Sequence, residues 1–446
     1  MSRLAAASVV CTPFWLPIVN DWRAWTTGLV VTLGDVPLIG FTLLAGPTTV
    51  GAIKARIISS LRARGSDEPL DPKEDHQLGL DRYLAGLIFL IAALAISVVV
   101  HPDVRGLQML WRVFAMICLG EHLIARRVRA TTIAYSLIGI TVFQAAIALW
   151  QRVTHTPVGL GVLGESPVPF WEFGANGFAV NGTLAHPYPL AALALVGGSA
   201  AMVFGARRLI DVRIAALGAV CSSLILGLTI SRSGLLSATG IMFAMLACGL
   251  LSFRHDLKAR KACTPTASTS LRFPVLRFAL LGIFIAGLAA GMFTSRDAWS
   301  NRAATQKVGS INDMSSSRGD RFSEGIGVYK LSPILGVGPG RYVIELARHP
   351  ELLNSAPADA VPAHNAALLL LAEGGIPTAL ALVALTVVLG RRLFALGFDG
   401  VILLSAVLPF LMLDIVFVSL PSGLFLLGTW AALVCALSQS REPSSI

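Results

Sequence analysis

Charged residues are scarce in this chain of 446 residues: they make up 13% of it, whereas 55% are hydrophobic and the mean hydropathy is +0.73. A soluble domain carries roughly 25% charged residues, and a soluble hydrophobic core stops growing at roughly 250–300 residues. The scarcity of charge therefore excludes a soluble protein of this size. It predicts an integral membrane protein in which lipid solvates most of the apolar surface.

The chain also lacks a long basic tract and paired cysteines. Its net charge of +10 comes from short clusters between apolar runs, such as Arg126–Arg129 and Arg391–Arg392, and no stripe is long enough to follow a nucleic-acid backbone. The six cysteines form no C-x-x-C pair, so we expect no disulfide, no metal site and no cofactor. No cleavable signal is evident at the start, so the first apolar run is expected to be retained.

Apolar runs long enough to cross a bilayer recur along the chain and predict an all-α polytopic protein with about twelve spans. The runs are Leu4–Asn20, Thr26–Val50, Tyr83–Val100, Gly106–Ile124, Thr131–Trp150, Leu184–Gly205, Leu209–Thr229, Ser233–Ser252, Pro274–Thr294, Asn365–Leu389, Gly397–Leu413 and Pro421–Leu437. Charges near the midplane of these runs are almost absent, since Glu121 and Asp414 lie near run ends. This argues against a transporter, because transporters place polar groups at the midplane.

Basic clusters follow runs two, four, six, eight and ten, so a single orientation places them all on the cytoplasmic side together with both termini. Residues 1–294 then hold nine spans, with a cytoplasmic loop at about 51–82 and an outward loop at about 151–183. Residues 295–363 form a long outward loop, and residues 364–446 hold three further spans. The long loop exceeds an ordinary connector and is expected to carry short helices.

Four polar features fall on the outward side under this orientation. Arg232, in the turn Ile230–Ser233, is either an anion-binding group or an arginine that snorkels from a span end. The segment Ser315–Phe322 predicts the capped start of an amphipathic helix, on which Arg318 and Arg321 share a face. These two arginines suit a diphosphate, although local pairing with Asp320 and Glu324 explains them equally well.

The other two features centre on histidines. His364, beside Asn365 at the mouth of a span, is either a general base or an interfacial polar cap. His186 lies at another mouth and is expected to shape the site rather than perform chemistry. Between these features, Pro333–Gly340 lacks the spacing of a nucleotide-binding loop and is interpreted as a rigid turn whose glycines allow close backbone approach.

In this order, the motifs resemble the O-antigen ligase and polymerase family of bacterial envelope glycosyltransferases. The matching pieces are Gly182–Pro187, Ser231–Leu236, Arg318 with Pro333–Gly340, and His364–Pro377. Each motif is weak alone, and the four together cover about residues 182–377. The chain departs from the family at Pro362, where many members have a second histidine.

The resemblance implies a GT-C-like glycosyltransferase of the bacterial inner membrane with its active site facing the periplasm. It implies transfer of a glycan from undecaprenyl diphosphate to a hydroxyl of a lipid-core or glycan acceptor, without a metal and with inversion. Arg232, Arg318 and His364 carry over as catalytic residues, while Arg321, His186 and Asn365 are expected to contact substrate. Ligase and polymerase remain open, and a secondary transporter or lipid-linked glycan flippase is the alternative.

Overall fold

The computed structural model describes residues 1–11, 33, 35–63, 72–165, 171–172, 178–184, 186–261, 272–305, 311–353 and 361–439. Its α-helices are α1 (Ser2–Cys11), α2 (Asp35–Ala63), α3 (Pro72–Val100), α4 (Val104–Ile124), α5 (Ala130–Thr154), α6 (Pro187–Ala206), α7 (Val212–Leu228), α8 (Arg232–Lys261), α9 (Arg272–Thr294), α10 (Arg296–Thr305), α11 (Ile311–Leu331), α12 (Tyr342–Arg348), α13 (Ala366–Ala395), α14 (Phe398–Leu413), α15 (Val416–Ser419) and α16 (Pro421–Gln439). The strands β1 (Trp171–Glu172) and β2 (Phe178–Ala179) pair antiparallel, with Trp171 opposite Ala179.

Eight helices among the described residues are long and apolar enough to cross a membrane, namely α2 to α6, α8, α9 and α13. The other four predicted runs coincide with α1, α7, α14 and α16, which are apolar but shorter. Helix α7, with 17 residues, rises about 26 Å, slightly less than the roughly 30 Å of a hydrocarbon core. The all-helical membrane architecture is thus confirmed, whereas a count of twelve full spans is not. Residues 12–20 of the first predicted run lie outside the described residues.

Helices α2 and α3 extend beyond the apolar runs that predicted them. Helix α2 continues to Ala63 and α3 begins at Pro72, so much of the predicted loop at about 51–82 is helical. The reason is that helix propensity does not require apolar residues. The polar sequence on either side of the gap is rich in Lys, Arg, Glu and Leu, which are good helix formers.

Helix α6 is the central helix of the bundle. All its residues except Tyr188 are buried, and α5, α7, α8, α14 and α16 pack around it. Small residues permit this packing: a Cβ atom on Gly198 would lie 2.7 Å from Cβ of Ser222 on α7. In lipid there is no hydrophobic driving force between helices, so close van der Waals contact between small residues stabilises their association. Because other helices surround α6, each of its two ends lies near the axis of the bundle.

Buried ion pairs join several helices where α6 ends. The Asp399 carboxylate accepts from Arg207 Nε at 2.7 Å and from Arg277 Nη1 at 3.0 Å, and it is 2% exposed. Arg207, the C-cap of α6, also donates to the Leu437 carbonyl. The predicted basic junctions after runs six and ten thus meet at one end of the bundle, which we call the basic end. The opposite end, where α6 begins, is the histidine end.

Replacing Asp399 with alanine is expected to lower the free energy of unfolding by about 3–5 kcal/mol, because it leaves two buried arginines without their shared carboxylate. Thermal unfolding of the purified protein in detergent would measure this. Glu351→Ala removes an exposed contact with His349 and serves as the control, since exposed pairs contribute little to stability. Equal stability of the two variants would contradict the prediction.

One buried charge pair corrects the expectation that the apolar runs hold almost no charge. Arg112 on α4 donates to Asp35 at the start of α2, with Nη2 and Oδ2 2.9 Å apart and both side chains buried. The two residues lie inside different predicted runs. An arginine in an apolar helix is tolerated because it faces the bundle interior and pairs with a carboxylate. The pairing is a tertiary contact, which a single run does not show.

Helix α13 is broken at Gly375, whose φ of 67° and ψ of −163° are not helical. The break follows from Pro377, which lacks the N–H that would normally bond the Glu373 carbonyl. That carbonyl instead accepts from Gly338 N at 3.0 Å and from Ser97 Oγ at 3.1 Å. The Pro333–Gly340 loop therefore inserts into the break and satisfies its free backbone groups.

Two further backbone bonds fix this loop in the break. Val337 N donates to the Ala372 carbonyl at 2.9 Å, and Ile376 N donates to the Pro333 carbonyl at 3.2 Å. The loop is a rigid turn with close backbone approach, as predicted. Its role is to connect the long loop to α13, close to the histidine end.

Candidate functional site

His186 begins the central helix and lies at the histidine end. It is the N-cap of α6, where its Nδ1 accepts from Tyr188 N at 3.2 Å. Its ring also contacts the Tyr188 ring, with centroids 4.5 Å apart. A ring nitrogen that accepts an N–H carries no proton, so a neutral His186 carries its proton on Nε2. The sequence resemblance had placed His186 in the site without indicating this capping role.

Two glutamines on α5 hold the backbone just before His186. Gln151 forms paired bonds with Gly182, donating to its carbonyl and accepting from its N–H, both at 2.9 Å. Gln144 forms a similar pair with Thr183. Both ends of the predicted outward loop at 151–183 are therefore tied together. Sequence analysis missed this pair, although two glutamines seven residues apart on one face of an apolar helix are a visible signal.

Replacing Gln151 with leucine is expected to lower the free energy of unfolding by at least about 2 kcal/mol, since the buried N–H and C=O of Gly182 both lose their partner. Transfer activity should fall with it, because the same segment carries His186. The control is Thr141→Val on the same helix, which removes only a bond to the Leu137 carbonyl and should cost about 1 kcal/mol or less. Thermal unfolding in detergent would measure the stability of both variants. Equal losses of stability would contradict the proposed role of Gln151 in holding Gly182.

Arg232 is the first residue of α8 and is half-buried. Ser231 caps the helix, since its Oγ accepts from Gly234 N at 3.0 Å. The predicted turn at Ile230–Ser233 is therefore shorter in the structure, with only residues 229–231 between α7 and α8. The capping serine explains the difference. Because Ser231 is the cap, the helix begins at the next residue, Arg232, which is one residue before the predicted start at Ser233. Arg232 consequently lies at the positive end of a helix dipole.

Arg302 on α10 joins the elements that carry His186 and Arg232. It is buried, and its Nη2 donates to Tyr188 Oη at 3.4 Å, while its Nη1 donates to the Ile230 carbonyl. It therefore bridges the first turn of α6 and the turn that precedes Arg232. Sequence analysis missed Arg302, because nothing local distinguishes it from the other arginines of the long loop.

His186, His364 and Arg302 lie near enough to influence each other electrostatically. Burial lowers the pKa of His186 to about 3, and the positive charges of His364 and Arg302 add to this lowering. His364 itself is exposed and immediately precedes Asn365, the N-cap of α13. Asn365 is engaged in the fold, since it accepts from Leu368 N at 2.9 Å and donates to the Met412 carbonyl.

The lowered pKa of His186 predicts a loss of stability in acid. Below about pH 6.5 the unfolded chain protonates this histidine, while the folded protein keeps it neutral down to about pH 3. Stability should therefore fall as the pH falls through this window, by up to about 1.4 kcal/mol per unit from this group. Thermal unfolding of His186→Asn, compared with the wild type between pH 7.5 and 4.5, should show a shallower decline. An unchanged slope would contradict the burial of a neutral His186.

Helix α11 carries the predicted loop arginines and packs against the residue before His364. It begins at Ile311, so the serines that were predicted to cap it lie within the helix. Arg321 pairs with the buried carboxylate of Glu324 at 2.9 Å, which matches the local pairing considered as an alternative. Arg318 lies on the same helix, but its side chain is outside the described residues. A Cβ on Gly325, two turns later, would lie 3.3 Å from Cβ of Ala363, the residue before His364.

The long apolar helices define a multi-pass membrane protein, and several polar side chains lie at its histidine end. Residues 217–383 match the family model described as O-Antigen ligase, which confirms the resemblance predicted from the motifs. The matched region contains Arg232, Arg302, Arg318 and His364. No curated protein shows significant similarity to the chain.

Proposed function

We propose that the protein transfers a glycan from undecaprenyl diphosphate to an acceptor hydroxyl, as an O-antigen ligase or polysaccharide polymerase. The observation that carries the proposal is that Arg302 bonds both Tyr188, two residues after His186, and the Ile230 carbonyl in the turn before Arg232. Arg232, Arg302 and His364 all lie within the matched family region. Lipid-linked donors present their diphosphate at the membrane surface. A site at one end of a helical bundle suits such a substrate.

Arg232 is the proposed ligand of the donor diphosphate. Negative charge grows on the diphosphate as the glycosidic bond breaks, and a half-buried guanidinium at a helix N-terminus stabilises it. Arg318 is proposed to approach the same group from α11, with Arg321 as a further substrate contact. Because arginines neutralise the leaving group in this scheme, the reaction requires no metal ion.

His364 is the proposed general base. Its exposed position lets an acceptor approach, and a neutral imidazole can accept the proton of the attacking hydroxyl. The acceptor oxygen attacks the anomeric carbon, its proton passes to the His364 ring, and the bond from that carbon to the diphosphate oxygen breaks. A single displacement of this kind inverts the anomeric carbon. Neutral His186 and Asn365 are proposed to orient the acceptor rather than to take its proton.

The proposed setting is the bacterial inner membrane, with a GT-C-like arrangement and the histidine end facing the periplasm. The support is the gathering of Arg207, Arg277 and Arg392 at the opposite end, as expected for the cytoplasmic side. Both termini are then cytoplasmic. A membrane-impermeant thiol reagent tests this: it should label Asp297→Cys from outside intact cells and spare Arg208→Cys. The reverse pattern would invert the proposed orientation.

Purified protein with a polyprenyl-diphosphate-linked oligosaccharide tests the activity. A ladder of products from donor alone indicates a polymerase, whereas a single product that requires a lipid-core acceptor indicates a ligase. A chelator should leave the rate unchanged, and strong inhibition would refute metal independence. If the donor crosses vesicle membranes without any transfer, the alternative of a lipid-linked glycan flippase replaces the proposal.

A further inference from the structure

Ile230 has an unusual backbone conformation. Four described non-glycine residues have positive φ, and all four follow a helix end: Arg126, His155, Arg208 and Ile230. The first three are exposed, whereas Ile230 is completely buried at φ 54°. Ile230 is also the β-branched member, for which the left-handed region is a genuine outlier. Such strain persists only where surrounding contacts enforce it, and it is concentrated at functional sites.

Helix α10 supplies those contacts. Trp299 and Arg302 are three residues apart and share one face of this helix. Trp299 Nε1 donates to the Gly227 carbonyl at 2.9 Å, and Arg302 Nη1 donates to the Ile230 carbonyl. Ile230 packs against Trp299 and Ala298 of the same helix. Two side chains of α10 thus bond carbonyls that the end of α7 leaves without intrahelical partners.

We infer that Arg302 is a positioning residue for Arg232, because its bond to the Ile230 carbonyl holds the left-handed turn that sets the first residue of α8. Arg232 follows Ile230 by two residues, so a change at Ile230 redirects the start of α8. Arg302 also bonds Tyr188, next to the cap of α6. The Arg302 side chain therefore fixes the position of the Arg232 turn relative to His186.

A rescue experiment tests this inference, which rests on the proposed transfer activity for its kinetic readout. Arg302→Met keeps an unbranched apolar stem but removes every donor, and transfer should fall at least tenfold. Ile230→Gly adopts the left-handed conformation without strain, so on this background Arg302→Met should cost no more than about threefold. Arg296→Met, an exposed change on the same helix, should leave the rate unchanged. A full loss in the double variant, or no loss in Arg302→Met, would overturn the inference.

A second readout needs no glycan and so separates this inference from the proposed function. Backbone hydrogen exchange of the full-length protein in detergent should rise at least tenfold across residues 228–234 in Arg302→Met. Residues 383–390 of α13 should exchange as in the wild type. If exchange rises throughout the protein in Arg302→Met, the milder variant Arg302→Lys, in which an ammonium replaces the five-donor guanidinium, is compared over the same two segments. Unchanged exchange across residues 228–234 in a folded variant would overturn the inference even if transfer is observed.

Discussion

Replacing His364 with alanine is expected to lower glycan transfer by roughly 10²–10⁴-fold, the usual contribution of a general base. The structure supports this role because His364 is exposed and lies close enough to His186 to affect the electrostatics of that ring. His186 cannot replace it, since burial lowers the pKa of His186 to about 3 and leaves a weakly basic ring. Initial rates with purified protein and a lipid-linked oligosaccharide would measure the loss.

His349→Ala is the matched control for this prediction. His349 lies in the long loop that precedes His364 and is more than a third exposed, and its ring contacts the Glu351 carboxylate. Its removal should change transfer by less than about twofold. Thermal unfolding should be similar for both variants, because neither histidine is buried. If His364→Ala keeps full activity, the proton must leave the acceptor by another route.

Replacing Gly375 with alanine is expected to abolish transfer and to lower the free energy of unfolding by at least about 3 kcal/mol. Its φ of 67° and ψ of −163° fall in a region that is essentially restricted to glycine. A Cβ there would lie 2.3 Å from the Ile334 carbonyl oxygen and 2.6 Å from Gly336 N. The inserted loop would have to leave the break in α13, which would displace α12 and the end of α11.

Gly390→Ala provides the control for this second prediction. Gly390 lies on the same helix, and a Cβ there would meet nothing within 4 Å. The substitution should therefore be neutral or stabilise the helix by up to about 1 kcal/mol, because alanine is the better helix former. Thermal unfolding in detergent and initial transfer rates would be recorded for both variants. Similar behaviour of the two would show that the break at Gly375 is not required.

The bundle and the clustering of its basic junctions could be predicted from the sequence because both signals are local. An apolar run identifies a helix, and a basic pair such as Arg391 and Arg392 indicates where the run ends. The motifs around Arg232 and His364 were predicted to lie on one side for the same reason. The prediction was less accurate for helix ends, since polar helix formers extended α2 and Ser231 shortened the turn before Arg232.

The residues that hold the site together could not be predicted, because their roles depend on partners far along the chain. Arg302 matters through Ile230 and Tyr188, which lie 72 and 114 positions away. Arg112 is acceptable in an apolar helix only because Asp35 of another helix faces it. The Gln144 and Gln151 pair was visible as a pattern, but its target at Gly182 and Thr183 was not. In each case the partner lies far along the chain, and local composition does not indicate which residue it is.

The rate of glycan transfer by purified wild type and Arg232→Ala, compared at saturating donor, tests the central claim most directly. The wild type should transfer the oligosaccharide, and Arg232→Ala should lose about 10²-fold or more, as expected when a charge-stabilising group is removed. Arg213→Ala, an exposed change at the basic end, should remain fully active. Full transfer by Arg232→Ala, or no transfer by the wild type with any acceptor, would contradict a glycosyltransferase site at the histidine end.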